Sequence, residues 1–381
     1  MEPPRRESYD AVVIGGGLIG LASAWRAAER GLSVLVVERD EPGAGASGVA
    51  AGMLAPVTEV EFGERALLDL GLASRELWPA FAAELEERSG RPTHFRETGA
   101  LVVAADRDDA GELRRLHDFQ GRLGLESEWL TPRECRRLEP GLAPRVAGGV
   151  LAHSEAQADP YAVNLALAAA FEHAGGELIS GAEVSAVETE HERVSGVALT
   201  DGTRLRADKV VVAAGPWSAS LDPAGAGPPV RPVKGQILEL SVRTGMPEPI
   251  ERIVRGRRCY LVPRGDGRVV LGGTVEEQGF DTTLTAGGVH RLLEAAWELV
   301  PEVEEMELVH ARARLRPGTP DNAPLIGAGS LQGLVWATGH HRNGVLLAPV
   351  TGRAVAALLA GEAPGDELAA FAPARFEKVP A

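Results

Sequence analysis

The stretch Ala11-Val12-Val13-Ile14-Gly15-Gly16-Gly17-Leu18-Ile19-Gly20, followed by Ser33-Val34-Leu35-Val36-Val37-Glu38, sets the reading of the whole chain. The apolar run at 11–14 reads as a buried strand, 18–30 as a helix and 33–37 as a second apolar strand, which makes a βαβ unit with parallel strands. Gly15, Gly17 and Gly20 each answer a physical need, respectively a tight turn, close backbone approach to a pyrophosphate, and tight packing of helix on strand. The helix they open turns free N–H groups and the positive end of its dipole toward that anion. Glu38 lies about 20 residues beyond the turn, where a ribose hydroxyl needs an acceptor. A purely structural glycine turn would leave that acid without a role, so the spacing predicts dinucleotide binding.

Flavin and nicotinamide cofactors share this unit, and features further along the chain favour FAD, held without a covalent bond. Ala46-Ser47 and Ala50-Ala51-Gly52 place small residues just beyond Glu38, where a broad flat ring can lie against backbone, with Met53 at its border. The apolar strand at 209–213 runs into Ala214-Gly215-Pro216-Trp217, like the strand that meets the cofactor in flavoproteins. The strand at 334–337 passes through Gly339, His340, Arg342, Asn343, Gly344 and Val345 into a helix at about 346–359. Amides there are expected to face the flavin pyrimidine, and the helix dipole to favour the negative charge of reduced flavin. Leu18, Ile19, Arg39 and Val184 complete the expected cofactor shell.

Bulk composition narrows the remaining classes. A chain of 381 residues exceeds what one core sustains, so two domains are expected. The formal charge of −15 and the absence of a basic run exclude a nucleic-acid partner. Against that charge, Arg residues gathered in a pocket stand out. Cys135 and Cys259 are the only cysteines, so neither a disulfide framework nor a Cys-based metal site is written here, and a reducing cytoplasm fits. The nine His residues form no metal-ligand spacing. Arg5 and Arg6 before an apolar stretch ending in Ala22-Ser23-Ala24 resemble a secretory signal, but the glycines inside it and the acidic Glu7 and Asp10 suit a nucleotide turn better. No segment reaches the roughly 18 uninterrupted apolar residues of a membrane span.

Helical patterns are expected at 64–89, 108–123, 160–173 and 288–300, and strands at 98–104, 177–179, 184–188, 194–199, 209–213, 235–242, 259–262, 268–272 and 334–337. Thr131-Pro132-x-Glu134 reads as a capping box, Asp159-Pro160 as an N-cap with proline at the first helical position, and Asp201-Gly202 as a hairpin turn. Pro and Gly crowd 223–229, a crossing between domains. The expected class is mixed α/β. A Rossmann-like FAD-binding domain at 8–88, 150–222 and 314–375 is interleaved with an antiparallel-sheet substrate domain at 89–149 and 223–313.

Along nearly its whole length the chain resembles the glycine oxidases of thiamin biosynthesis, within the wider D-amino acid oxidase and sarcosine oxidase group. The matching stretches are 11–20, 50–54, Pro232-Val233-Lys234-Gly235, Cys259-Tyr260-Leu261-Val262-Pro263-Arg264, Leu315-Arg316-Pro317-Gly318-Thr319 and Gly339-His340-x-Arg342-Asn343-Gly344, of which the last three together are the most specific. The resemblance implies that Arg316 clamps the substrate carboxylate, that Tyr260 donates a hydroxyl to the same group, and that Arg342 lies nearby. Such chemistry asks for these residue types independently, since a guanidinium meets a carboxylate in a two-pronged geometry that Lys cannot reproduce. A surface ion pair is the simpler reading of Arg316 and Arg342, and a half-buried strand residue that of Tyr260.

Two positions depart from the family pattern. Arg258 stands where a His is usual, and Val275 where a Met is usual, so the pocket rim is expected to differ in charge and width. No catalytic base is assigned to His340 or His341, because amine oxidation by hydride transfer needs only an unprotonated amine. The resemblance implies oxidation of glycine, sarcosine or D-alanine to the imine, then to glyoxylate and ammonia, with dioxygen reduced to hydrogen peroxide. It also implies a homo-oligomer, commonly a tetramer, and hand-over of the imine to thiazole synthase. The competing reading is a D-amino acid or D-proline dehydrogenase of the same fold that uses another electron acceptor. A covalent flavin would need a Cys in the C-terminal substrate segment, and neither Cys lies there.

Overall fold

A computed structural model describes residues 6–223, 225 and 227–376. Arg5, and residues 224 and 226 of the Pro- and Gly-rich crossing, lie outside the described residues. The opening unit consists of the strand Ser8–Ile14, the helix Leu18–Glu29 and the strand Val34–Val37, with Val12 opposite Leu35 in parallel register. The two strands are apolar without alternation because both of their faces are covered. Ala11, Val13, Val34 and Val36 pack under the helices Leu18–Glu29, Pro160–His173 and Ala348–Leu359. Val12, Ile14, Leu35 and Val37 pack on the other side against Val187, Val197 and Leu205 of an antiparallel ribbon.

In the first sheet the strands run in the order Leu325–Ala328, Leu334–Thr338, Arg204–Val212, Ser8–Ile14, Val34–Val37, Glu177–Ile179. All neighbours are parallel except the edge strand Leu325–Ala328. Parallel strands bring their carboxyl ends to one rim, so Gly15, Glu38, Ala213 to Gly215, and Gly339 to His340 emerge side by side from chain segments hundreds of residues apart. That rim is where open α/β sheets hold ligands.

The second sheet runs Glu307–Gly318, Arg231–Ser241, Arg268–Gly272, Tyr260–Pro263, Ile253–Arg255, Ala100–Ala104, Gly148–Ala152, Glu128–Leu130. It is antiparallel but for one parallel pair, Ile253–Arg255 with Ala100–Ala104, where strands from separated parts of the chain meet edge to edge. Leu238, Leu261 and Leu271 face a core capped by Leu292, Ala296 and Leu299 of the helix Ala286–Leu299. Their alternates Ile237, Val262 and Val270 face the other way, toward Ala51, Met53 and Tyr260.

Local stop and start signals are realised. Thr131 and Glu134 form a capping box, Asp159 accepts from the amides of Tyr161 and Ala162 ahead of Pro160, and Gly202 takes a positive φ of 88° in its hairpin. Besides the short strands Glu128–Leu130, Ile253–Arg255 and Leu325–Ala328, two longer strands escape the sequence pattern. Gly148–Ala152 is entirely buried and short, and Glu307–Gly318 begins with the exposed residues 307–310, so neither shows alternation. Both belong to the second sheet, so the segment cuts expected at 150 and 314 fall inside its strands. A further two-stranded pairing, Met53–Leu54 with Ala156–Gln157, ties the small-residue stretch to the start of the helix at 160.

Candidate active site

A cavity of about 540 Å3 runs from the rim of the first sheet to the Tyr260 face of the second. Its first end is made largely of backbone. Gly15 has φ 110°, and a Cβ there would come within 2.5 Å of Ala213 O. A Cβ on Gly20 would overlap the carbonyl oxygen of Gly15, so this glycine works behind the cavity wall by letting helix and turn close together. The helix Leu18–Glu29 has no side-chain cap of its own and no acid in its first turn, and Ser47 Oγ accepts from the Leu18 amide at 3.0 Å. Glu38 accepts from Gly16 N at 2.6 Å and Asp40 N at 2.8 Å, one bond per carboxylate oxygen, which leaves further lone pairs for hydroxyls.

The expected cofactor shell falls mostly on this cavity. Gly15, Gly17, Leu18, Ile19, Glu38, Arg39, Ala46, Ser47, Ala50, Ala51, Gly52, Met53, Val184, Ala214, Gly215, Trp217, His340, Arg342, Gly344 and Val345 line it. Arg39 lies over the Trp217 ring at 4.3 Å, and Phe280 stacks on that ring at 5.8 Å. Three expected residues lie off the wall. Besides Gly20, Gly339 takes φ 75° in a turn packed on Thr319, and Asn343 is buried, its backbone bonded to His340 O and to the Leu347 amide. A helix amino end with no cap from its own N-cap residue, glycines whose Cβ atoms would close the turn and an acid beside it fit the adenosine and pyrophosphate of FAD. The small residues 50–52 fit its ring.

At the second end, side chains make the surface. Arg316 donates from Nη1 to Thr274 O at 2.9 Å. Burial pushes the Tyr260 phenol up from its usual range, with the Arg316 guanidinium opposing that shift. Glycines make the floor on which these two groups lie. A Cβ on Gly235 would overlap the Arg316 guanidinium, one on Gly272 would overlap the Tyr260 hydroxyl, and one on Gly273 would come within 2.9 Å of that hydroxyl and 3.0 Å of Arg316 Nη2. Sheet register places them: Tyr260 opposes Gly272, and Arg316 opposes Val233 two residues from Gly235. Gly272 and Gly273 escape a sequence reading because the sites they clear belong to other strands. Their only signal is a glycine pair ending an apolar strand.

The other expected pocket residues are more engaged. Arg342 lines the cavity, but its guanidinium is paired with Glu61, with Glu64 at 3.0 Å and with Glu59 O at 3.2 Å. That is the ion-pair reading, inside a pocket wall. Arg258 lies on the rim with its guanidinium bound to Glu298 and, at 3.4 Å, to Glu294, so the structure does not bring it onto the Arg316 and Tyr260 pair. Val275 is exposed at the mouth. Burial lowers His340 to about 3, and its Nε2 lies 3.1 Å from Thr351 Oγ1, which gives it a place in the fold.

The segment 57–63, which contributes Glu59 and Glu61 to the cavity wall, has no counterpart in the sequence pattern. Glu155, fully buried, accepts from the amides of Val57 at 2.8 Å and Thr58 at 3.1 Å, and Arg255 donates to Thr58 O. Burial pushes the Glu155 carboxyl up to about 8. Both cysteine thiols are buried and pushed up, Cys135 to about 11 and Cys259 to about 12, so neither is reactive. Among the described residues there is no metal-binding cluster and no helix long and apolar enough to cross a membrane.

This fold and cavity define a flavin-dependent oxidoreductase, and the chain belongs to the FAD dependent oxidoreductase family, whose model matches residues 10–358. Within that family it is similar to the glycine oxidase of Geobacillus kaustophilus, 36% identical with 95% of this chain and 96% of that protein covered. The crystal structure of glycine oxidase from that organism superposes with a TM-score of 0.92 at 34% identity, covering 98% of this chain and all of the other. The bifunctional protein ThiO/ThiG of Trichormus variabilis is 35% identical over 97% of this chain, which spans only 55% of that longer protein.

Proposed function

We propose that this chain oxidises glycine and other small amino acids, sarcosine and D-alanine among them, to the imine, which water converts to glyoxylate and ammonia from glycine, to glyoxylate and methylamine from sarcosine, and to pyruvate and ammonia from D-alanine. The observation that carries the proposal is the Arg316 and Tyr260 pair on its glycine floor, at the end of the cavity away from the pyrophosphate turn. Bound FAD would supply the acceptor for a hydride, two electrons and one proton, from the substrate Cα, with dioxygen as the final oxidant and hydrogen peroxide as its product. The chain's own part is to bind and orient. Arg316 fixes the carboxylate by two charge-assisted bonds, Tyr260 stays protonated as a donor, and the fixed carboxylate directs the Cα–H. Neither His340 nor His341 is needed as a base, because the free amine lone pair drives imine formation. The similarity to both single and fused relatives supports a hand-over of the imine to a thiazole synthase.

The test is peroxide release under air from the FAD-loaded protein with glycine, sarcosine, D-alanine, D-proline and the L-counterparts. Glycine and sarcosine are expected to release one peroxide per turnover. Substrate oxidation with an artificial acceptor but no peroxide would make the protein a dehydrogenase instead. Silence with every small amino acid would remove the carboxylate reading of Arg316.

A further inference from the structure

The wall beside Arg316 holds one more polar side chain, without a hydrogen-bond partner among the described residues. His341 lines the cavity, its backbone N–H donates to Pro317 O at 2.9 Å, and its imidazole lies within the field of Arg316, the residue that precedes Pro317. Its backbone is held at φ 46°, in the left-handed region that residues with a Cβ seldom adopt. Non-glycine residues in that region concentrate at functional sites. Nδ1 is buried, and among the described residues neither it nor Nε2 has a hydrogen-bond partner; Nε2 is the nitrogen that is not closed off by burial. Burial first, and then the fields of Arg316, Arg342 and Arg231, lower the imidazole to about 4, with Glu61 opposing.

A neutral imidazole carries one N–H and one lone pair. An N–H at the enclosed Nδ1 would strand a donor among guanidinium groups, while a lone pair there is favoured by the same positive field. The proton therefore belongs on Nε2, the nitrogen with access to the cavity. Amine and carboxylate are the two ends of a small amino acid. A donor on the amine would engage the lone pair that imine formation needs; the carboxylate offers only acceptors.

We propose that His341 is a second carboxylate-recognition residue, its Nε2–H donating to the substrate carboxylate held by Arg316 and setting affinity rather than rate. This rests on the reading of Arg316 as the carboxylate clamp. The test uses the FAD-loaded full chain, with acetate as a carboxylate that cannot be oxidised, bound in a calorimeter, beside glycine kinetics. His341→Phe keeps the ring volume and removes the donor, and is expected to weaken acetate binding and raise the glycine KM about 10-fold each, with kcat within about twofold. His341→Gln restores an N–H and is expected to recover both to within about threefold of the unaltered protein. Arg316→Ala is the control that loses acetate altogether.

Acetate binding unchanged in His341→Phe but lost in Arg316→Ala would leave the clamp standing and overturn the role of His341. A Gln variant no better than Phe would also overturn it, as would loss of the flavin spectrum from both variants, which would assign His341 to the fold. If the unaltered holoenzyme ignores acetate, or Arg316→Ala binds it equally well, the clamp and this proposal fall together.

Discussion

At one end of the cavity the surface is peptide backbone: Gly15, Gly17 and the amides opening the helix Leu18–Glu29, with Glu38 beside them. At the other end it is side chains, Arg316 and Tyr260, lying on Gly235, Gly272 and Gly273. The first end is continuous in sequence, about 25 residues from strand to acid, and it holds a shape that any dinucleotide presents. The second is assembled from four strands of a sheet, and in the proposed reading it is the end that discriminates between ligands. Backbone amides cannot be mutated away but are sensitive to added bulk; side chains can be removed one at a time. The two ends should therefore fail differently.

The largest effect is expected from Gly20→Val, whose side chain would meet the Gly15 carbonyl and part the helix from the turn. That variant should purify without a flavin spectrum and bind added FAD more than 100-fold more weakly, as fluorescence titration would show; a normally yellow protein would break the contrast at the backbone end. Arg316→Ala should instead remain yellow and lose about 3 kcal/mol or more of substrate binding, on the order of a 100-fold rise in the glycine KM, counting two charge-assisted bonds at roughly 1.5 to 3 kcal/mol each. Wild-type kinetics in that variant would take Arg316 out of the site. Gly235→Ala sharpens the same point without touching a functional group. Its Cβ displaces the Arg316 guanidinium, so KM should rise roughly 10-fold with FAD affinity intact, while loss of flavin would show that the floor supports both ends.

The smallest effect concerns the segment 57–64, which gives Glu59 and Glu61 to the cavity wall. Glu155 titrates at about 8 in the folded chain against an ordinary value of 4.5, so its protonated form is the one the fold keeps. Its contribution to stability is fully present below about pH 4.5 and is lost as pH rises through about 8. Glu155→Gln mimics the protonated carboxyl toward the Val57 and Thr58 amides and should flatten the fall in Tm between pH 5 and pH 8. Parallel Tm profiles for the two proteins would show that Glu155 does not govern this wall.

Much of the fold was legible in the chain itself. The βαβ unit, the caps at Thr131 and Asp159 and the hairpin at Asp201-Gly202 are local, because strand burial, capping and positive φ leave marks on neighbouring residues. The strands at 148–152 and 307–318 were not legible. One is too short and wholly buried to alternate, and the other starts exposed at a sheet edge. Residue types in the pocket could be named, but not their allegiances. Arg316, Arg342 and Arg258 look alike in sequence, and only their neighbours separate a guanidinium over a glycine floor from two that are engaged by Glu61, Glu64, Glu294 and Glu298.

What the sequence determined by itself is the pyrophosphate turn and the acid beyond it, since glycine spacing and strand period act over a few residues of chain. Tertiary structure decided which of the three guanidinium groups has no carboxylate partner among the described residues, which glycines clear its place, and that Glu59, Glu61 and His341 line the same cavity. Those are outcomes of sheet register and of charge pairing across hundreds of residues, quantities that no local pattern records.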